Sequence, residues 1–269
     1  MFDCVNKINS YKIIDFVQIG GILLMVLIRT KYETFVSNVF DEGIGISGKS
    51  PNKGATGLRF DFQGTDFCFI CSHFTAHIDN CEDRNKDFHK IMDDLIFDGK
   101  ESRKKIFEHD NIFWMGDLNY RIDKLSRNDI LQSILTGNCQ ILRDNDQLSR
   151  EMKAGHVFHH FQEGEVRFRP TYKFDNGTDD FDTVKERHPA WTDRILWLGT
   201  NIEQFSYCGY SNFVLSDHKP VSALFEVGIL KKESLDETRE SFEKKQEQIE
   251  KRIERLELLV KEIHTKLKI

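Results

Sequence analysis

Four stretches of this chain carry side chains that could move a proton or meet an anion. Phe113-Trp114-Met115-Gly116-Asp117-Leu118-Asn119-Tyr120-Arg121 is an apolar run that ends in a glycine, a carboxylate and, two residues on, an amide. Residues two apart on an extended backbone point the same way, so Asp117 and Asn119 share an orientation. A carboxylate that takes a proton from water, beside an amide that donates to an oxyanion, suits hydrolysis of a phosphate ester. The same spacing after a strand also serves as a turn with side-chain caps. Ser216-Asp217-His218 precedes the apolar run Val221–Val227, and Trp191-Thr192-Asp193-Arg194 leads into Ile195–Leu198. Asp193 can orient His218 through a ring N–H, as supporting carboxylates commonly do. Ser72-His73 closes a fourth apolar run. Each is weak singly, because a lone His or Asp is more often structural. Together they set Asp, Asn and His at several strand ends, where α/β enzymes build sites.

Charge points the same way. The 269 residues carry 38 Lys and Arg against 44 Asp and Glu, a formal charge of −6. A globally acidic chain is a poor non-specific nucleic-acid binder, so an anionic ligand must be met by a local cluster of cations. All four prolines lie in polar clusters: Ser50-Pro51-Asn52-Lys53-Gly54, Arg169-Pro170-Thr171-Tyr172-Lys173, His188-Pro189-Ala190-Trp191 and Asp217-His218-Lys219-Pro220. Several carry Lys or Arg with little acid beside them, which suggests a focused anion site. The six cysteines read as reduced thiols of a cytoplasmic chain. Cys68-Phe-Ile-Cys71 has a zinc-like spacing but no second pair to complete it.

These residues need strands to hold them. Short apolar runs at Ile19–Ile28, Gly57–Phe62, Phe67–Ser72, Asn111–Met115, Arg194–Leu198 and Val221–Val227 predict strands. Gln63-Gly64-Thr65 marks a hairpin. Asn80–Phe97 and Ser126–Thr136 have helical spacing. Mixed elements of this kind predict an α/β or α+β sandwich. The longest apolar run, Ile19–Ile28, is too short to span a bilayer as a helix, and it lacks the flanks of a signal peptide. The globular part is expected over residues 11–228. From 229 to 269 there is no Gly or Pro, and Ile249, Ile253, Leu256, Val260, Ile263 and Leu267 follow a three-four alternation. That is a coiled-coil seam, which predicts a helical tail that self-associates or takes a partner helix.

The motifs together resemble the catalytic domain of inositol polyphosphate 5-phosphatases. The matching stretches are Trp114–Arg121, Pro189–Leu196, Asn52–Ala55, Ser72–His77, Phe168–Lys173 and Ser216–Val221, in the family's order. The resemblance implies a four-layer α/β/β/α sandwich of the deoxyribonuclease-I-like type and a Mg²⁺-dependent phosphomonoesterase. It implies that Asp117 activates water, that Asn119, His73 and His218 meet the scissile phosphate, and that Asp193 orients His218. Asp217 would lie on the metal side. Asn52 and Lys53 would face the 1-phosphate of the ring. Tyr172, Lys173 and Lys185 would grip the 4-phosphate, with Arg194 supporting that pocket. Arg121 reads as a partner in a structural ion pair, and His77 as structural.

One departure matters. The family pattern has an early Thr-Trp-Asn and a later Gln-Glu that supplies the main metal carboxylate, and neither occurs before Tyr11; Gln162-Glu163 is not that pair. The chain is therefore expected to lack the first strands and two metal-site residues. Two functions follow: a 5-phosphatase acting on phosphoinositide lipid or soluble inositol phosphate, in the cytoplasm or peripherally on a membrane, and an inactive phosphoinositide-binding scaffold that self-associates through its tail.

Overall fold

A computed structural model describes residues 10–46, 52–99, 103–230 and residue 246, and the described residues form twelve strands and four α-helices. The chain divides into two units, Met1–Ile229 and Leu230–Ile269. The coiled coil expected over 229–269 lies, apart from residues 229, 230 and 246, outside the described residues.

In chain order the strands are β1 (Tyr11–Ile19), β2 (Ile22–Arg29), β3 (Val36–Gly45), β4 (Gly54–Phe62), β5 (Thr65–His73), β6 (Ile96–Asp98), β7 (Arg103–Lys105), β8 (Asn111–Asp117), β9 (Gln162–Glu163), β10 (Asp193–Leu198), β11 (Ile202–Gly209) and β12 (Val221–Val227). The helices are α1 (Cys81–Asp94), α2 (Arg127–Leu135), α3 (Cys139–Asp144) and α4 (Gln147–Lys153). Six strands form the central sheet in the order β3-β4-β5-β8-β10-β9. The β4–β5 hairpin turns at Gln63-Gly64 as expected. β5 and β8 run parallel, which requires a long crossover; α1 lies in it.

Period-two alternation divides the sheet between two cores. Cys68, Ile70, Ile112, Trp114 and Leu196 pack with Phe88, Ile91 and Met92 of α1. The buried stripe of α1 follows from i, i+3, i+4 spacing, and the helix ends where Leu95 turns extended. Leu58, Phe60, Phe67, Phe113 and Trp197 form the other face. The β1–β2 hairpin, through Leu24, and the β11–β12 hairpin, through Phe225 and Val227, cover it. The described elements thus form three of the four expected layers. Among the described residues no helix covers the outer side of the hairpins, where Phe16, Leu23, Phe205 and Leu224 are exposed.

Several predicted elements differ. The run Ile19–Ile28 is not one strand: its Gly20-Gly21 pair is the turn between β1 and β2. Its continuous apolarity hides the turn, and β1, with Lys12, Asp15 and Gln18, reads as too polar. The expected helix Asn80–Phe97 stops at Asp94 and gives way to β6. Helix α2 begins where expected, with Ser126 Oγ accepting from the Asp129 N–H at 3.2 Å as its N-cap.

Candidate active site

Strand register assembles the site. The parallel pairing of β5 with β8 sets His73 opposite Asp117, and the antiparallel pairing of β8 with β10 sets Asp193 opposite Asp117 on the other side. Three strand ends therefore place His73, Asp117 and Asp193 in a row. Gly116 permits this approach: its φ is +131°, and a Cβ there would meet the Ser72 carbonyl oxygen at 2.1 Å. Beyond it, the Leu118 N–H donates to Thr192 O at 2.8 Å, and Asn119 adopts φ 56°, in the sparse left-handed region.

Asp117 Oδ2 lies 3.2 Å from His73 Nε2 and accepts from Asn119 Nδ2 at 3.2 Å. Asn119 Nδ2 also donates to Phe74 O at 3.1 Å. Lys53 Nζ reaches the same cluster, 2.5 Å from His73 Nε2, and donates to Phe74 O at 2.6 Å. Burial works against the ionised Asp117, yet the His73 hydrogen bond and the charges of His218 and Lys53 hold its carboxyl below its ordinary value. Asp193 is raised, by burial first and then by Asp117. His218 Nδ1 stands 2.7 Å from Asp193 Oδ2, in the pairing the motifs predict. Burial disfavours the charged ring, but Asp193, Asp117 and Asp217 outweigh it and raise His218.

A second group faces His218. The Tyr172 ring centroid lies 4.7 Å from that of His218, and the Tyr172 backbone pairs with Ala190. Lys173 Nζ forms an ion pair with Asp217 Oδ2. Lys219, absent from the expected site, is 2% exposed. Its Nζ donates to Thr178 O and Phe213 O and lies 4.4 Å from the Phe174 ring centroid, bracing the loops beside Lys173. Its place between His218 and Pro220 was the only sequence signal for it.

Other expected residues lie apart. Arg194 is 1% exposed, and its Nε and Nη2 donate to Glu163 at 2.6 Å while Nη1 donates to Asp146 at 3.0 Å. This buried triad ties β10 to β9 and to the N-cap of α4, and it does not join the His218 cluster. Asn52 is exposed beside the β1–β2 turn. Lys185 is exposed, with its backbone N–H on Asp182 Oδ1 at 3.1 Å. Arg121 makes no ion pair among the described residues; it donates to Asn119 instead.

A divalent ion needs several open oxygen or nitrogen donors converging on one point. Among the described residues no three His, Cys, Asp or Glu side chains converge as a metal-holding group. Asp117 already carries His73 and Asn119, Asp193 carries His218, and Asp217 carries Lys173. The described residues do not fit the ion unaided.

Residues 2–224 match the endonuclease/exonuclease/phosphatase family 2. The chain is 40% identical over 226 residues to mouse type II inositol 1,4,5-trisphosphate 5-phosphatase, covering 82% of this chain and 23% of that protein. It is 34% identical over 256 residues to rat synaptojanin-2, covering 84% and 17%. It thus spans about a fifth of the length of these relatives. Among solved structures it resembles the inositol polyphosphate 5-phosphatase domain of SPsynaptojanin in complex with inositol (1,4)-bisphosphate and calcium ion. The TM-score is 0.76 and the identity 36%, covering 84% of this chain and 69% of that one.

Proposed function

From the premise that this chain belongs to the endonuclease/exonuclease/phosphatase family 2, we propose that residues 11–228 hydrolyse the 5-phosphate monoester of inositol rings that also carry a 4-phosphate. The observation that carries this reading is the row His73, Asp117, Asp193 across three strand ends, with His218 held on Asp193. Water attacks phosphorus in line, Asp117 takes one of its protons, and the P–O bond to the ring breaks; the leaving ring oxygen takes a proton from solvent and Asp117 returns its own, so that inorganic phosphate and the ring hydroxyl are released. Asn119, His73 and His218 neutralise the phosphoryl oxygens. The 1-phosphate side of the ring is assigned to Lys53, seated against His73, and to Asn52, which stands apart beside the β1–β2 turn. Tyr172 and Lys173, with Lys185 at the rim, take the 4-phosphate, and Lys173 must then share its charge between that phosphate and Asp217.

Mg²⁺ is the cation the reading calls for, with Asp217 on its side of the site. Among the described residues the donors do not complete its shell. That same observation favours a second reading, a phosphoinositide-binding scaffold without turnover. Among the described residues no helix is long and apolar enough to cross a membrane, and either a lipid headgroup or a soluble inositol phosphate fits the chemistry. The tail's heptad pattern supports self-association of the whole chain, tested by sedimentation.

Phosphate release from inositol 1,4,5-trisphosphate with Mg²⁺, measured beside calorimetric binding of the same ring, separates the readings. Release with inositol 1,4-bisphosphate as product supports the enzyme. Binding without release supports the scaffold, and neither would overturn both. Vesicles containing phosphatidylinositol 4,5-bisphosphate distinguish the lipid source.

A further inference from the structure

Arg121 is buried, 6% exposed, and its guanidinium is turned on two neutral acceptors and a ring. Nη2 donates to Asn119 Oδ1 at 2.5 Å, and Nε donates to Asn119 O at 3.0 Å. Cζ lies 4.4 Å from the Tyr172 ring centroid. Its backbone is pinned as well: the Arg121 N–H donates to Gln147 Oε1 at 2.9 Å, and Arg121 O accepts from the Gln147 N–H at 2.8 Å.

A guanidinium offers donors only, whereas a primary amide has one accepting and one donating end. Arg121 therefore dictates which way the Asn119 amide stands. With Oδ1 turned to Arg121, Nδ2 must face Asp117 Oδ2 and Phe74 O, where it is found. The reversed amide would set two donors against each other and aim an acceptor at a carboxylate. The bond to Asn119 O clamps the same residue at its unusual φ of 56°. The flat face of the guanidinium carries Tyr172, which in turn faces His218.

A buried cation with no carboxylate beside it is costly unless an anion completes it. Among the described residues no carboxylate forms an ion pair with Arg121, whose side-chain hydrogen bonds go to Asn119 alone.

We propose that Arg121 is a positioning residue that holds the Asn119 amide with its donor end on the Asp117 side, where the scissile phosphate is met, and braces Tyr172 at the neighbouring phosphate, so that one guanidinium couples recognition of two adjacent ring phosphates. The identity of the ligand rests on the function proposed above; the clamp on Asn119 does not.

The experiment uses the full chain and two variants, Arg121→Lys and Tyr172→Leu. Lysine keeps the charge and loses the planar fork; Tyr172→Leu leaves the fork and removes the ring. The first readout is the Asn119 side-chain amide signals by NMR, with and without inorganic phosphate. The second is calorimetric affinity for inositol 1,4,5-trisphosphate. In Arg121→Lys the amide signals shift, and affinity falls on the order of tenfold, as for the loss of a charge-assisted hydrogen bond. In an Asn119→Ala background the same change costs clearly less, since its target is gone. Tyr172→Leu lowers affinity with smaller amide shifts. Unchanged amide signals in Arg121→Lys, or a full tenfold loss in the Asn119→Ala background, would overturn the proposal. Should Arg121→Lys not fold, amide signals that exchange and move freely in the wild-type chain would overturn it equally. Wild-type protein that ignores inositol phosphates would refute the ligand, while the amide signals still decide the clamp.

Discussion

Asp117 is a carboxylate at neutral pH, because His73, His218 and Lys53 hold it below its ordinary value against the effect of burial. That makes it a weak base. A loose phosphoryl-transfer transition state asks more for positioning than for strong proton abstraction. We expect Asp117→Asn to slow phosphate release by about 100-fold or more while the ring binds with near-normal affinity; single-turnover release beside calorimetry checks it. His218 behaves in the opposite sense. Burial disfavours its charge, but Asp193, Asp117 and Asp217 raise it above 6.5. The folded chain therefore keeps the ring protonated at higher pH than the unfolded chain does. The stability this contributes is complete below pH 6.5 and is lost as pH rises through the folded value. Urea midpoints should fall across that interval and flatten in Asp193→Asn. Much of this was legible in the motifs, since Asp117, Asn119, Asp193 and His218 do meet. Arg194 was not separated from Asp193, although consecutive strand residues face opposite sides. Arg121 stayed hidden because its acceptors are an amide and a carbonyl two residues back, in a left-handed turn that residue types do not announce.

Elements carry their own tests. Gly116 lets β8 lie against β5 where a Cβ would strike the Ser72 carbonyl. Gly116→Ala should destabilise the unit by about 1–3 kcal/mol and disturb the His73–Asp117 pairing, seen as a lower urea midpoint and a shifted His73 resonance. The Arg194–Glu163–Asp146 triad should behave differently. Arg194→Met leaves two carboxylates buried without their cation, at a cost of about 3–5 kcal/mol. Such a variant that remains folded at low temperature should still bind the ring, because Arg194 faces away from His218. Retained stability would mean that water reaches the triad. Strand positions with alternating or apolar residues were readable, as at β8 and β12. β3 was not: Asp41, Glu42, Gly43 and Gly45 are poor strand formers, and only pairing with β4 makes them one.

The whole chain carries −6, yet its proposed phosphate site gathers Lys53, Lys173 and Arg121 around three aspartates. Mg²⁺ should therefore bind the free protein weakly, in the millimolar range, since it dehydrates reluctantly and few carboxylate oxygens are open to it. Lys173→Ala releases Asp217 and should tighten Mg²⁺ while weakening the 4-phosphate grip. Calorimetry with each ligand separates the two, and tighter ring binding would contradict the assignment. The layering was legible in part: the four-layer α/β/β/α sandwich implied by the motifs foresaw a second β layer over the central sheet, but not that two separate hairpins, β1–β2 and β11–β12, form it among the described residues. The strand-end site also has a consequence in time. His73, Asp117, Asp193 and His218 belong to segments far apart along the chain, joined through a parallel pair and a late antiparallel one. Local helices form in microseconds, whereas such distant pairings close slowly. During refolding the chain should regain helical signal well before it can hold a phosphate, so a newly made molecule passes through an interval in which it is structured and still inert.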